Sequence, residues 1–340
     1  MTDRPDVTVV VPALNAEQWI GDALSSVVAQ TYPQDKLEVV VIDDGCTDRT
    51  VEEARQVLAP SGCAYSVLHS MSPHGPSAAR NRGWRSGRGQ WVQFLDADDL
   101  LEPEKLSLQM KVASTIGPNV AAIYSAWGRM ASRAGVREVE SIAIPAIGAD
   151  ALLDILRPPN FMQLGSLILS RAWLERTNGF VESYWLTEDV DLLMRMVVLG
   201  GTLHHVVSDR PISWYRQHPG SISRQDTREF MHACVRNLRA AEMHWRTENA
   251  LTPHRVRTLV ELYFGPVRFF AEHDPRAFEE VLGTIEALAP ASLPSGPRTL
   301  RWLSRLVGYR KAERCAVTYR RLKRLYRGRS SESAITVPAS

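Results

Sequence analysis

Val7 to Val11 is an unbroken β-branched run closed by Pro12, a pattern that predicts a strand buried on both faces. From Asn15-Ala16-Glu17 the spacing changes. Trp19, Ile20, Ala23, Leu24, Val27 and Val28 recur at helical intervals, and Tyr32-Pro33 ends the helix. Leu37 to Ile42 predicts a second buried strand that stops on Asp43-Asp44-Gly45. Thr47 or Asp48 caps a helix running to about Leu58. A short strand over Ala64–Leu68, a helix over Ser77–Arg88 and a strand over Gln90–Leu95 follow. The last of these stops abruptly on Asp96-Ala97-Asp98-Asp99. Alternating strand and helix predicts an α/β domain with a mainly parallel, Rossmann-like sheet and flanking helices.

Beyond Asp99 the pattern predicts a helix over Pro103–Ile116, a strand over Val120–Ser125 and a polar hairpin over Trp127–Ile142. It then predicts a short helix over Asp150–Leu156, a strand over Ser166–Leu169 and a short helix over Ala172–Thr177. Thr187-Glu188-Asp189 opens an amphipathic helix, Val190–Leu199, closed by Gly200-Gly201. Strands are expected at Thr202–Val207 and Ile212–Tyr215. After Ser223 only helical spacing remains, at about Gln225–Asn249, Pro253–Glu272, Pro275–Leu288 and Arg298–Tyr326. The expected division is residues 1–222 as a catalytic α/β domain, 223–327 as an all-α domain, and 328–340 as a disordered tail.

Composition adds limits. The chain has 340 residues with ordinary apolar and charged fractions, enough for one large or two ordinary domains. Four scattered cysteines, Cys46, Cys63, Cys234 and Cys315, include no Cys-x-x-Cys. That argues against zinc and against a disulfide framework, and fits reduced thiols in the cytoplasm. The N-terminus reads as no signal peptide, and no stretch approaches the ~18 apolar residues of a membrane span. Charge is uneven. Between residues 296 and 332 twelve lysines and arginines stand against two glutamates, a net +10, so the rest of the chain carries −8 of the total +2. A basic end on an acidic body suggests an anionic partner.

Three carboxylates at Asp96, Asp98 and Asp99 repel one another, and a strand end that gathers them calls for a cation. Oxygen ligands favour magnesium or manganese. The plainer alternative is a solvated acidic turn before the helix at Pro103. Ligands of parallel sheets bind beyond the carboxyl ends of strands, where Asn15, Asp43/Asp44 and the Asp96 cluster all fall.

Several ordered motifs resemble family 2 glycosyltransferases. They are Val9-Val10-Val11-Pro12-Ala13-Leu14-Asn15, Gln30-Thr31-Tyr32, Val41-Ile42-Asp43-Asp44-Gly45-Cys46-Thr47-Asp48, Ser77-Ala78-Ala79-Arg80-Asn81-Arg82-Gly83, Phe94-Leu95-Asp96-Ala97-Asp98-Asp99 and Thr187-Glu188-Asp189-Val190-Asp191-Leu192. The resemblance covers roughly residues 5–220. It implies a GT-A fold, a nucleotide-diphosphate sugar donor, bound Mn2+ or Mg2+, and inversion at the anomeric carbon. By the same resemblance Asp44, helped by Asp43, meets a uracil or thymine N3–H, and Pro12 and Asn15 line the base and ribose pocket. Asp96 of the Asp-x-Asp motif lies near the ribose or the metal's waters, Asp98 ligates the metal, and Asp99 supports. Arg80 suits a donor phosphate, or pairs with an acidic neighbour on the helix surface. Asp189 is the expected base for the acceptor hydroxyl, with Glu188 beside it; otherwise the pair only complements a helix N-terminus. His218, in Tyr215-Arg216-Gln217-His218-Pro219-Gly220-Ser221-Ile222-Ser223, is a third metal ligand or a diphosphate contact, or else a plain loop residue. Trp127, Trp185 and Trp214 are candidates for an acceptor platform or for the core. Two departures stand out: Cys46 where a serine is usual, and Ser72-Pro73-His74-Gly75 on the approach to Arg80.

The expected partners are a nucleotide-sugar donor, most simply UDP-linked, and a hydroxyl acceptor. That acceptor is a surface polysaccharide, a teichoic-type polymer, a lipid-linked glycan or a secondary metabolite. The basic C-terminal helix suggests peripheral contact with an anionic membrane, the helical domain a homo-oligomer, and nothing suggests nucleic acid. A nucleotidyltransferase of similar fold and a catalytically silent glycan-binding or scaffold protein are the competing classes. The former normally shows a Gly-rich, basic N-terminal loop that Pro12–Asn15 lacks.

Overall fold

Val7 to Ala13 forms β1, buried along nearly its whole length because β-branched side chains pack against helices on both faces of a sheet. The computed structural model describes residues 4–133, 136–218, 226–290, 292 and 297–332. After β1 come α1 (Ile20–Val28), β2 (Leu37–Asp43), α2 (Thr50–Leu58), β3 (Ala64–His69), α3 (Pro76–Ser86) and β4 (Trp91–Phe94). They continue with β5 (Leu100–Leu101), α4 (Lys105–Ala113), β6 (Val120–Ser125), β7 (Trp127–Arg133), β8 (Val136–Ala143) and α5 (Ala151–Ile155). Last in this unit are β9 (Leu167–Ser170), α6 (Arg171–Thr177), α7 (Glu188–Val198), β10 (Thr202–Val206) and β11 (Ser213–Gln217).

Seven strands form one sheet in the order β10-β6-β9-β4-β1-β2-β3. β1 pairs in parallel with both β2 and β4, and β9 runs antiparallel between β4 and β6. The order reverses at β1, so the carboxyl ends of β1, β2 and β4 open on one crevice. A second sheet, β5-β11-β7-β8, carries the strand that leads to His218. Core packing ties α1 to the sheet through Ile20, Leu24 and Val27 against Val7, Val9 and Val11. On the other face α3 approaches β1 closely. A Cβ at Gly83 would come within 2.2 Å of Val10 Cγ1, so a side chain there would push the helix off the strand.

Most expected elements form within a few residues of their expected bounds. Helix α1 starts at Ile20 rather than near Asn15, because Asn15 sits at φ 50, which no right-handed helix accepts. The short strand β5 was not expected; it forms by pairing with β11, over a hundred residues away in the chain.

Contacts divide the chain into Met1–Asp226 and Thr227–Ser340. The second unit holds α8 (Thr227–Thr247), α9 (Pro253–His273), α10 (Pro275–Leu288), α11 (Arg298–Val307) and α12 (Tyr309–Glu332). Trp245, Tyr263, Phe270 and Leu282 form its core. Thr252 accepts from the Arg255 N–H and Asp274 from the Ala277 N–H, capping α9 and α10. The single helix expected over Arg298–Tyr326 is two helices. Gly308 at φ 80 ends α11, since that left-handed backbone cannot continue the helix. Residues 328–332, expected to be disordered, continue α12, and 333–340 lie outside the described residues. No helix among the described residues is long and apolar enough to cross a membrane.

Candidate active site

The carboxyl end of β2 builds the first part of the crevice. Asp43 accepts from the Gly45 and Cys46 N–H groups at 3.1 and 2.7 Å, and its other oxygen lies 2.8 Å from His69 Nδ1. Burial pushes the Asp43 carboxyl up, but these hydrogen bonds outweigh it and leave it below the usual range. Asp44 is buried and turned the other way, accepting from the His74 and Gly75 N–H groups at 3.0 Å. Trp185 lies across Gly75: a Cβ there would stand 2.9 Å from the indole, so only glycine fits beneath it, and its φ of 94 also favours glycine.

At the end of β1, Pro12 pairs in register with Ile42. Asn15 Oδ1 accepts from the Thr47 N–H at 2.8 Å, joining the two strand ends. Cys46 completes the join. Its sulfur accepts from the Asn15 N–H and donates to the Ala13 carbonyl, and burial pushes the thiol up to about 11. A neutral thiol thus does what a hydroxyl would do there.

The end of β4 and the start of α7 meet across Arg80. Arg80, 5% exposed, places one terminal nitrogen 2.7 Å from Asp96 and the other 2.7 Å from Glu188. Arg80 is thus buried rather than on the helix surface, and the acidic neighbours it pairs with are Asp96 and Glu188. Asp189 is buried beside Glu188 and accepts from the Val190 N–H at 2.8 Å. Burial first, then the Glu188 charge, raises the Asp189 carboxyl to about 7. Burial also raises Glu188, with Arg80 opposing it. Thr187, just before them, is held at φ 56, a conformation a β-branched residue adopts only under constraint.

Asp98 lies 2.8 Å from His218 Nε2. Burial and the neighbouring Asp96 raise Asp98, and His218 opposes the rise. His218 also stacks on Trp19 at 5.2 Å, and the Arg216 guanidinium lies 4.7 Å over the same indole. Arg216 braces the acidic turn. Its N–H donates to Asp99 and its side chain to the Asp98 carbonyl and to Asp22, at 2.8, 2.8 and 3.0 Å. Asp99 is fully buried and also accepts from Gln163, so it supports the turn. Pro219 to Ser223 lie outside the described residues.

A cation would meet an incomplete set of ligands. No group of three or more histidine, cysteine, aspartate or glutamate side chains among the described residues forms a metal cage. Asp98 and His218, 2.8 Å apart, would offer a cation a two-ligand edge. Such an edge fits magnesium or manganese, which usually take one or two protein ligands and complete their shell with phosphate oxygens and water.

The three tryptophans part company. Trp127 and Trp214 are buried, their N–H groups bonded to the Phe161 carbonyl and to Glu102, so they belong to the core. Trp185, 53% exposed, stays at the crevice. Gln163, Trp19 and the His74–Gly75 amides were not anticipated as site residues. Trp19 was hidden because it fits the apolar spacing of α1, and Gln163 carries no sequence signal at all.

A mostly parallel sheet reversing at β1, with acidic strand ends at its crevice, is the GT-A architecture. Residues 8–139 match the model of glycosyl transferase family 2, and this segment is a family 2 glycosyl transferase domain. The chain is 30% identical over 230 residues to succinoglycan biosynthesis protein ExoO of Rhizobium meliloti, covering 65% of this chain and 63% of that one. It is 34% identical over 99 residues to poly(ribitol-phosphate) beta-N-acetylglucosaminyltransferase TarS of Staphylococcus aureus, covering 29% of this chain and 17% of that one. The chain therefore spans less than two thirds of the length of either relative. In fold it is similar to S. aureus TarS 1-349 in complex with UDP-GlcNAc, with a TM-score of 0.65 at 20% identity, covering 93% of this chain and 92% of that one. It is also similar in fold to mannosyltransferase PcManGT from Pyrobaculum calidifontis in complex with GDP-Man and Mn2+, with a TM-score of 0.53 at 21% identity, covering 94% and 88%.

Proposed function

We propose that this protein is an inverting glycosyltransferase that moves a sugar from a UDP-linked donor to a hydroxyl of a surface polysaccharide, a teichoic-type polymer or a lipid-linked glycan. The observation that carries the reading is the Arg80 bridge, which joins the acidic end of β4 to the acidic start of α7 at 2.7 Å on each side. Donor-side and acceptor-side carboxylates thereby share one crevice.

In this reading Asp44 accepts the base N3–H. A carboxylate offers about four lone-pair sites, so the His74 and Gly75 amides leave room for it. Pro12, Asn15 and Asp43 shape the base and ribose pocket. Asp96, held by Arg80, faces the ribose. Asp98 and His218 would hold Mn2+ or Mg2+, which when bound offsets charge on the departing diphosphate. The acceptor oxygen forms its bond to the anomeric carbon as the bond to the diphosphate oxygen breaks. Asp189 takes the hydroxyl proton, and a carboxyl raised to about 7 suits that task near neutral pH. Glu188 positions it.

The UDP preference draws support from the UDP-GlcNAc in the TarS structure, and the acceptor class from the names of ExoO and TarS. Magnesium or manganese draws support from the Mn2+ in the PcManGT structure. The protein would work in the cytoplasm, at the inner face of an anionic membrane that its basic C-terminal segment meets. Calorimetry with UDP, GDP and dTDP, each with and without Mn2+, tests the donor. Tightest binding of UDP with the metal supports the reading. Absence of binding by all three removes it.

A further inference from the structure

α11 sets two kinds of exposed residue side by side. Trp302 and Leu306, 63% and 62% exposed, are four positions apart and lie one above the other. Arg298, Arg301 and Arg305 are exposed on the adjoining strip, while Leu300 and Ser304 face the interior. Among the described residues none of these three arginines forms an ion pair. The long basic helix α12 behaves differently. Arg310 pairs with Glu279 and Glu286, Arg314 with Glu279, and Arg320 with Glu272 and the buried Glu313. Arg321 donates to the Glu272 carbonyl. Thus Arg310, Arg314, Arg320 and Arg321 of α12 are all engaged by neighbouring groups, although Tyr319 and Leu322 are also exposed there, and α11 leaves its own arginines unmatched beside an apolar strip.

We propose that α11, rather than α12, is the element that docks this protein on an anionic lipid bilayer. It lies in the headgroup plane with Trp302 and Leu306 at the acyl boundary and its arginines on lipid phosphates. A soluble polyanion would match the arginines but offers nothing to Trp302 and Leu306. A bilayer offers anionic headgroups and hydrocarbon within one helix width, and tryptophan favours that interface. The inference rests on the surface-contact part of the proposed function and is independent of its transfer chemistry.

Co-sedimentation of the full chain tests it, with phosphatidylcholine vesicles and with vesicles containing about 30% phosphatidylglycerol. Partition into the anionic vesicles is expected. The triple variant Arg298→Gln/Arg301→Gln/Arg305→Gln should lower it roughly 100-fold, about fivefold per arginine. Trp302→Ala/Leu306→Ala should lower it about tenfold or more. Lys311→Gln/Lys323→Gln, on exposed positions of α12, should leave it unchanged. Brominated lipid should quench the wild-type protein more than Trp302→Phe. All substituted positions are exposed, and circular dichroism checks that the variants stay folded. Full partition by both α11 variants, or a larger loss from the α12 variant, overturns the assignment to α11 while leaving surface contact standing. Absence of partition into any vesicle overturns both, with nucleotide binding unaffected. A dimer that Trp302→Ala dissociates assigns the strip to a second copy and overturns the proposal.

Discussion

Arg80 Nη1 lies 2.7 Å from Glu188 Oε1, although the two residues are 108 positions apart. The other terminal nitrogen of Arg80 reaches Asp96 at the same distance. One buried cation therefore offsets carboxylates from two ends of the site. Its burial lowers and its two acidic partners raise its affinity for the proton, and the partners prevail.

Replacing Arg80 by Met should leave Asp96 and Glu188 as buried, uncompensated acids. A loss of about 3–5 kcal/mol is expected, because breaking a buried pair strands the remaining charge. Urea denaturation measures it. Arg80→Lys should recover only part, since one ammonium lacks the planar fork that spans both carboxylates.

Asp189→Asn should leave UDP affinity near normal and reduce sugar transfer about 100-fold or more, the usual contribution of a positioned base. A matching loss of UDP affinity in calorimetry would make Asp189 structural instead.

In the wild type, transfer should rise with pH through about 7, where Asp189 ionises. Stability runs the other way. The folded state holds this proton up to about 7, whereas an unfolded aspartate releases it near ~3.9. The folded state then binds more protons between those values, so this group's contribution falls as pH rises. Asp189→Asn, which stays neutral, should gain in Tm relative to the wild type from pH 4 to pH 7, on the order of the same window. A constant difference across the range would remove the assignment.

Asp98→Ala should abolish the Mn2+-dependent part of UDP binding and leave the metal-independent part. Calorimetry with and without the metal separates the two. Undiminished metal dependence would move the ligand role elsewhere.

Lys105 is wholly buried, and its ammonium meets the side-chain oxygens of Gln93 and Gln109, with no carboxylate among those partners. Burial pushes it well below the usual lysine range. The folded state then binds fewer protons than the unfolded chain until pH reaches the ordinary lysine value, so stability should climb with pH toward it. Lys105→Met should flatten that climb in urea denaturation measured from neutral to alkaline pH.

Much of the first unit was legible along the chain. Unbroken runs such as Val7–Val11 and Leu37–Ile42 announce buried parallel strands, and the acidic stop after the second marks a strand end at the crevice. Helix bounds were harder to read. Asn15 fits the start of a helix by residue type, but its left-handed backbone serves the link to Thr47. Gly308 likewise sat inside an apolar period that gave no reason to divide one helix into two.

Local pattern reaches only as far as near neighbours, and that sets the division. Element type and the acidic strand ends follow from residue identity and period, because those depend on a few adjacent residues. Contacts between distant segments do not. Folding buried Arg80 in the bridge between Asp96 and Glu188, buried Trp127 and Trp214 while leaving Trp185 at the crevice, and paired Arg310, Arg314 and Arg320 of α12 but, among the described residues, none of Arg298, Arg301 and Arg305 of α11. Each outcome depends on which far-off carboxylate or apolar surface arrives beside a side chain, and close packing settles that only when the whole chain is in place.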